Sequence, residues 1–306
     1  MACGGRRSAG MTPAILPLLR RHRWATLLLQ QAAVFGLSFG FMAGVHALTG
    51  KSLHGGREAM GPLEYAGLMA LFAGLVLFTR WLYHRVEGKT APALGMALSW
   101  PAFGHLVAGT LGGFVLLGWP QLVGLDTGSL QVKATVFQQG GPLAVALLMA
   151  AGALSLTANS VMEEVCSRAF PLMLWREKSL AFRLLVPALL FAALHLAVEP
   201  FRAGAFAQRT VAGLAFSALY LLTRNVWLAA GVHTGTNEAV LFTTSRWQMG
   251  GLFATEGAAW GPEWLPLALW TLLFVGVLAV LVQRERAAVQ TGGTGRETGL
   301  APALAR

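Results

Sequence analysis

Long apolar runs separated by short polar segments dominate the pattern along this chain. Each run holds about 20 mostly apolar residues, the length that a helix needs to cross a bilayer. Eight runs qualify: 24–48, 62–84, 99–119, 141–166, 180–198, 206–223, 225–244 and 264–283. Backbone polar groups inside a bilayer must be paired within the segment, so helices are expected, and no strand-like alternation indicates a barrel. We therefore predict an all-α membrane protein, a single bundle of about eight transmembrane helices.

The first apolar run, 24–48, follows a basic segment in the manner of a secretion signal. It is longer than the apolar part of a cleaved signal and has no clear cleavage site. We interpret it as a retained first transmembrane helix. Gly36, Gly40 and Gly44 recur every four residues along it. Such a stripe of small residues is typical of close helix contacts, so we predict a packing face there.

Composition and charge support a membrane protein and indicate its orientation. Only 12% of the residues are charged, against about 25% in soluble domains. The net charge is +10, but the basic residues lie at the ends of apolar runs, not in a patch with aromatics, so nucleic-acid binding is not expected. With the N-terminus in the cytoplasm, 17 of the 23 lysine and arginine residues are cytoplasmic. This asymmetry predicts that both termini are cytoplasmic.

Tryptophans and segment composition complete this picture of the chain. Six tryptophans near the ends of runs are predicted to form an interfacial belt: Trp24, Trp81, Trp119, Trp175, Trp227 and Trp264. The predicted segments are a basic cytoplasmic tail (1–23), N-terminal transmembrane helices (24–135), a core (140–245), the last loop and helix (246–286) and a disordered tail (287–306). Cys3 and Cys166 suggest no disulfide framework, and Cys166 is predicted to be a small core residue.

Polar side chains inside the apolar runs are concentrated in the core segment. Ionisable groups are costly within a bilayer, so each is a candidate functional residue. The three clusters are Glu163, Glu164 and Arg168 in the fourth run, His195 in the fifth, and His233 and Asn237 in the seventh. Glu238 follows directly, and no role is assigned to it.

Helical spacing predicts how these residues are arranged. Glu164 and Arg168 are four residues apart and can pair on one helix face, as His233 and Asn237 also share a face. Glu163 is turned by roughly 100° from Glu164, so we expect the two acids to have different partners. One acid is then held by Arg168, while the other faces a cavity.

This set of side chains suits amide hydrolysis by activated water, with no covalent nucleophile. A carboxylate beside an imidazole can act as a general base towards water. A second imidazole and a carboxamide can stabilise the oxyanion of the tetrahedral intermediate. Taken singly, each cluster has a structural explanation: an ion pair at a helix end, a core histidine, or polar contacts between helices.

Two other classes of protein remain open alternatives. Buried acids and histidines also form relays in proton-coupled transporters. That class predicts inverted repeats with broken helices, whereas the polar residues here lie in the second half of the chain. The other alternative is a non-catalytic immunity or scaffold protein, against which the complete set of six polar residues counts.

Three short motifs resemble the signature motifs of the CPBP family. This family includes type II CAAX prenyl endopeptidases and bacterial proteins linked to bacteriocin processing and immunity. The resemblance covers roughly residues 140–245, and the motifs are Glu163-Glu164-x-x-x-Arg168, Phe191-x-x-x-His195 and His233-x-x-x-Asn237. It implies an eight-helix membrane fold with a conical intramembrane cavity open to the cytoplasm.

The resemblance also implies roles for individual residues. Glu163 would be the catalytic base, working with His195 to activate water, while His233 and Asn237 would stabilise the oxyanion. Glu164 and Arg168 would support the site. The expected substrate is the terminus of a membrane-associated peptide or protein, with or without a prenyl group.

Metal dependence and location are further expectations. The family is commonly labelled as metalloprotease, and Glu163, His195 and His233 would be the ligands of a zinc ion. The chain lacks the HExxH pair that places two ligands on one helix, so we predict no metal, with zinc as the alternative. The Ala-, Gly- and Arg-rich composition indicates a bacterial inner membrane protein, and prenylation is not expected in bacteria.

Overall fold

A computed structural model describes residues 15–50, 61–135, 141–196, 200–243, 253–257 and 264–291. The α-helices are α1 (Ile15–Arg21), α2 (Arg23–Thr49), α3 (Pro62–Glu87), α4 (Trp100–Asp126), α5 (Pro142–Glu164), α6 (Phe170–Leu174), α7 (Leu180–His195), α8 (Ala203–Thr223), α9 (Val226–Thr243) and α10 (Leu265–Thr291). A π-helix (Val165–Ala169) joins α5 to α6, a 3₁₀ turn covers Ala91–Leu94, and strands β1 (Leu130–Thr135) and β2 (Phe253–Gly257) complete the described elements.

The all-α membrane fold predicted from the apolar runs is confirmed. Each run coincides with one of the helices, and six helical segments in the described part are long and apolar enough to cross a bilayer. These are Arg23–Thr49, Leu63–Glu87, Trp100–Asp126, Pro142–Leu174, Ala203–Thr223 and Leu265–Ala287. The apolar helix α7 is shorter, so the number of eight crossings stays a prediction.

Two details depart from the predicted pattern. Strands β1 and β2 pair antiparallel, with Leu130 opposite Gly257, between loops that link apolar runs. This pairing was missed because its two strands are far apart in sequence and short. The last helix continues to Thr291, past the predicted start of the tail at 287. The rest of that tail, 292–306, and the first 14 residues of the basic N-terminal tail lie outside the described residues.

Segments predicted to lie on the cytoplasmic side meet at one end of the bundle. The contacts join Arg20 to the Arg85 carbonyl, Arg23 to Glu177, Arg176 to Glu87, and Arg284 to the Leu222 carbonyl. The β1–β2 pair instead joins two loops predicted on the opposite side. The helices therefore alternate in direction as the charge pattern predicts. Which end faces the cytoplasm stays a prediction.

Four of the six tryptophans predicted to form an interfacial belt are exposed, and the belt itself stays a prediction. Trp24, Trp81, Trp119 and Trp264 have exposed rings. Trp175 is buried, with its ring 4.5 Å from that of Trp24. Its placement at the interface was wrong, because the chain after α6 folds back against the start of α2. The Trp175 ring is then covered by Trp24 on α2 and Phe182 on α7.

Close backbone contact between α4 and α9 depends on two glycine pairs. Gly109 and Gly113 on α4 face Gly231 and Gly235 on α9. A Cβ atom added to Gly235 would lie 1.9 Å from the carbonyl oxygen of Thr110. Small residues allow membrane helices to approach this closely. The glycines therefore fix the position of α9, which carries two of the candidate site residues.

The predicted glycine stripe on α2 does not form such a contact. A Cβ atom at Gly36, Gly40 or Gly44 would meet nothing within 4 Å in the described structure. The buried residues of α2 lie nearer its start and are Thr26, Leu27, Gln30 and Gln31. The spacing of small residues identifies a face that permits close approach, but it does not say whether a partner helix is present.

Gly113→Ala is expected to destabilise the protein, whereas Gly112→Ala is expected to leave stability unchanged or slightly raised. A Cβ atom at Gly113 would lie 2.2 Å from the Val232 carbonyl oxygen, so α4 and α9 must separate. Overpacking of this kind costs about 1–3 kcal/mol. Nothing lies within 4 Å of the corresponding position at Gly112. Thermal unfolding in detergent compares the two variants, and equal melting temperatures would contradict the proposed contact.

Candidate active site

The candidate site lies where α5 passes into the π-helix, facing α7, α8 and α9. Glu163 and Glu164 are the last residues of α5, and Arg168 belongs to the π-helix. A π-helix inserts an extra residue into a helical turn and often occurs at functional sites. The local change of helix type therefore falls directly beside the two acids.

His233 on α9 lies between the side chains of Glu163 and Glu164. Its Nδ1 is 2.9 Å from Oε1 of Glu164, and its Nε2 is 3.7 Å from Oε2 of Glu163. The prediction that the two acids have different partners was wrong. The two ring nitrogens point in different directions, so one imidazole contacts two carboxylates that leave the helix about 100° apart.

Arg168 pairs with Glu164, as their spacing predicts. The distance between Arg168 Nη1 and Glu164 Oε1 is 3.3 Å, and both side chains are fully buried. The guanidinium carbon of Arg168 also lies 3.8 Å from the centre of the Phe191 ring and 5.1 Å from that of Phe216. The opposite charge and the aromatic faces together stabilise a guanidinium that has no access to water.

Glu163 is the more accessible acid of the pair. Its side chain is 26% exposed, whereas that of Glu164 is fully buried. Asn159, one turn earlier on α5, donates a hydrogen bond from Nδ2 to Oε1 of Glu163 at 2.9 Å. One carboxylate oxygen is thus held in place, while the other faces His233. This geometry fits a base that must meet an external molecule.

His195 lies at the end of α7, near the same carboxylate. Its Nδ1 is 2.8 Å from the carbonyl oxygen of Phe191, and the imidazole interacts electrostatically with Glu163. The Phe191 ring lies 4.5 Å from the His195 ring and 6.0 Å from the His233 ring, measured between centroids. Phe191 therefore packs against both imidazole rings.

Asn237 and Phe216 border the site on the side of α9. Asn237, one turn after His233, donates from Nδ2 to Ser160 Oγ at 3.4 Å. Phe216 on α8 stacks on His233, with centroids 4.9 Å apart and an interplanar angle of 17°. Glu238 is half-buried, and its role stays unassigned. All six residues predicted from the motifs thus fall within one region of the bundle.

Three residues at this site were missed from the sequence. Asn159 stands four residues before Glu163, so the rule that residues four apart share a helix face could have found it. Ser160 carries a short hydroxyl that often bonds locally in helices. Phe216 is one of 17 phenylalanines, and nothing in its sequence context distinguishes it from a core residue.

A metal centre has limited support in the geometry. Within the part of the chain that is described, no three histidine, cysteine, aspartate or glutamate side chains are arranged to hold a metal ion. Glu163, His195 and His233 therefore do not form a three-ligand set as they stand. The absence of a metal from the reaction therefore stays a prediction.

A buried glutamate–histidine cluster between membrane helices marks a candidate functional site. Comparison with known families agrees: residues 144–239, about a third of the chain, match the family described as type II CAAX prenyl endopeptidase, Rce1-like. This match supports the resemblance to the CPBP family of CAAX-type membrane proteases that the three motifs predict. The family points to a protease in general. Neither the curated proteins nor the solved structures gave a match.

Proposed function

We propose that this protein is an intramembrane endopeptidase that cuts a peptide bond near the terminus of a membrane-associated peptide or protein. The observation that carries the proposal is the partly exposed Glu163 carboxylate beside His233, inside a bundle of membrane helices. Water, a base and hydrogen-bond donors are what amide hydrolysis requires when no covalent nucleophile is used. The family match over residues 144–239 agrees with this activity.

In the proposed reaction, Glu163 removes a proton from a water molecule that His195 helps to orient. The resulting hydroxide attacks the carbonyl carbon of the scissile bond, and a tetrahedral intermediate with a negative oxygen forms. Protonated Glu163 then gives its proton to the departing amine. Asn159 supports this cycle because its hydrogen bond to one oxygen keeps the carboxylate in a single orientation.

His233 and Asn237 are proposed to stabilise the negative oxygen of the intermediate. Because Nδ1 of His233 faces the Glu164 carboxylate, we place a proton on that nitrogen. The proposed role requires an N–H at Nε2 as well, because that group would donate to the oxyanion. Arg168 contributes indirectly, since it neutralises Glu164 and so holds the partner of the imidazole in place.

The cellular setting is part of the proposal. We place the protein in a bacterial inner membrane, with its site reached from the cytoplasmic side. The excess of basic residues at one end of the bundle supports this orientation. The substrate is a membrane-associated terminus that does not require a prenyl group. We propose that no metal takes part, with zinc as the alternative.

Cleavage of a quenched fluorescent peptide panel by the purified protein in detergent tests this function. The panel contains matched prenylated and unprenylated peptides, each with and without a chelator. We expect cleavage of unprenylated peptides that survives chelation. Activity lost on chelation and restored by zinc would overturn the metal-free mechanism. Absence of turnover across the panel would count against the protease and favour a transporter or a scaffold.

A further inference from the structure

A buried polar network connects α2 and α3 to the π-helix beside the candidate site. Gln31 on α2 donates from Nε2 to the carbonyl oxygen of Cys166 at 3.2 Å and to Oε1 of Gln30 at 2.8 Å. Gln30 donates to Thr79 Oγ1 on α3 at 3.2 Å, and Thr79 Oγ1 is 3.3 Å from Cys166 Sγ. All four residues are buried, so the network makes up part of the interface between these helices.

The carbonyl of Cys166 has lost both of its ordinary helical partners. In an α-helix it would accept from the N–H of Phe170, but this N–H donates to the Val165 carbonyl in the π-helix. In a π-helix it would accept from residue 171, which is a proline without an N–H group. A buried carbonyl without a donor is costly, and Gln31 supplies the missing donor.

This contact matters for the site because the π-helix begins directly after Glu164. The direction of the last turn of α5, and the spacing from Glu164 to Arg168, depend on where the extra residue is held. We propose that Gln31 is a positioning residue for Glu163 and Glu164, acting through the Cys166 carbonyl, with Gln30 and Thr79 as its supports. This inference rests on the proposed function and extends the working parts of the site beyond residues 144–239, to α2 and α3.

Gln31→Met tests the inference, because it keeps the length of the side chain and removes the donor. We expect kcat to fall by about tenfold to a hundredfold, as for small displacements of catalytic groups, while KM stays within about threefold. Gln31→Asn keeps an amide donor on a shorter side chain and is expected to fall between Gln31→Met and the wild type. Hydrogen–deuterium exchange is measured in parallel, and Gln31→Met is expected to exchange faster over residues 163–170.

Thr26→Val is the matched control on the same helix. Thr26 is fully buried and donates from Oγ1 to the Leu19 carbonyl at 2.7 Å, one turn before Gln30 and away from the π-helix. Its loss should lower stability to a similar extent, without a change in kcat. A kcat of Gln31→Met equal to the wild type, a change in KM alone, or an equal fall in kcat for Thr26→Val would overturn the inference while leaving the proposed function standing.

An inactive wild type would instead count against the proposed function, and hydrogen exchange then decides the inference by itself. Faster exchange over residues 163–170 in Gln31→Met, but not in Thr26→Val, would support the role of Gln31 in holding the π-helix. Unchanged exchange over these residues would overturn it.

Discussion

Glu163→Gln is expected to abolish peptide cleavage, lowering kcat/KM by about 10²–10⁴-fold, the range for loss of a general base. The amide has the same size as the carboxylate and can still contact Asn159, but it cannot take a proton from water. We therefore expect an unchanged melting temperature together with lost turnover. The measurement is cleavage of the best peptide of the panel, with thermal unfolding in the same detergent.

Glu238→Gln provides the control for this prediction. Glu238 is a half-buried acid on α9 with no proposed role in catalysis. Its substitution by glutamine makes the same chemical change as Glu163→Gln. We expect its turnover to match that of the wild type. Residual activity of Glu163→Gln above about a tenth of wild type would contradict the role of Glu163 as the base. Equal activity in both variants and the wild type would identify a contaminating protease.

Arg168→Met is expected to lower the free energy of unfolding by about 3–5 kcal/mol, the usual cost of leaving a buried charge without its partner. Both Arg168 and Glu164 are fully buried, so water cannot replace the lost guanidinium. His233 also contacts Glu164, and after the substitution it would be left to stabilise the buried Glu164 carboxylate without the guanidinium. Unfolding by heat or denaturant in detergent measures the loss.

The double variant Glu164→Gln/Arg168→Met is expected to regain most of that stability. It removes both charges together, and replacing a buried ion pair by neutral groups is often nearly neutral. Its catalytic activity should stay low, because His233 then lacks a carboxylate at Nδ1. An unrecovered stability would mean that Arg168 acts through its aromatic contacts instead.

Arg176→Met serves as the reference for a partly exposed ion pair. Arg176 contacts Glu87 at 2.7 Å, but its side chain is 38% exposed. Pairs of this kind contribute about 0–1 kcal/mol, because water and salt screen the charges. A loss in Arg168→Met no larger than that in Arg176→Met would contradict the importance of burial.

Helix positions were predictable because hydropathy acts locally. A bilayer requires each crossing segment to be long and apolar, with its backbone hydrogen bonds formed within the segment. Length and hydropathy can be recognised in a short window of the sequence. The six candidate residues were selected for the same reason, since a polar or ionisable side chain stands out within an apolar run. Their order and spacing also predicted the family resemblance, and the match over residues 144–239 supports it.

Contacts between distant segments could not be predicted in this way. The same four-residue glycine spacing occurs on α2 and α4, yet only the glycines of α4 meet another helix. The pairing of β1 with β2 and the burial of Trp175 also depend on segments far away in the chain. Local patterns show that a surface can pack, whereas the partner is selected by the whole arrangement of helices.

The sequence by itself determined the kind of protein, the helices and the residues available for chemistry, because these depend on local hydropathy and side-chain type. Only the tertiary structure decided how the residues are used. It placed His233 between Glu163 and Glu164, where helix geometry had indicated separate partners. It also placed the Gln31 amide beside the Cys166 carbonyl, to which Pro171 has no N–H group to donate. Both contacts join residues far apart in the chain, and their geometry is fixed by the packing of helices against one another.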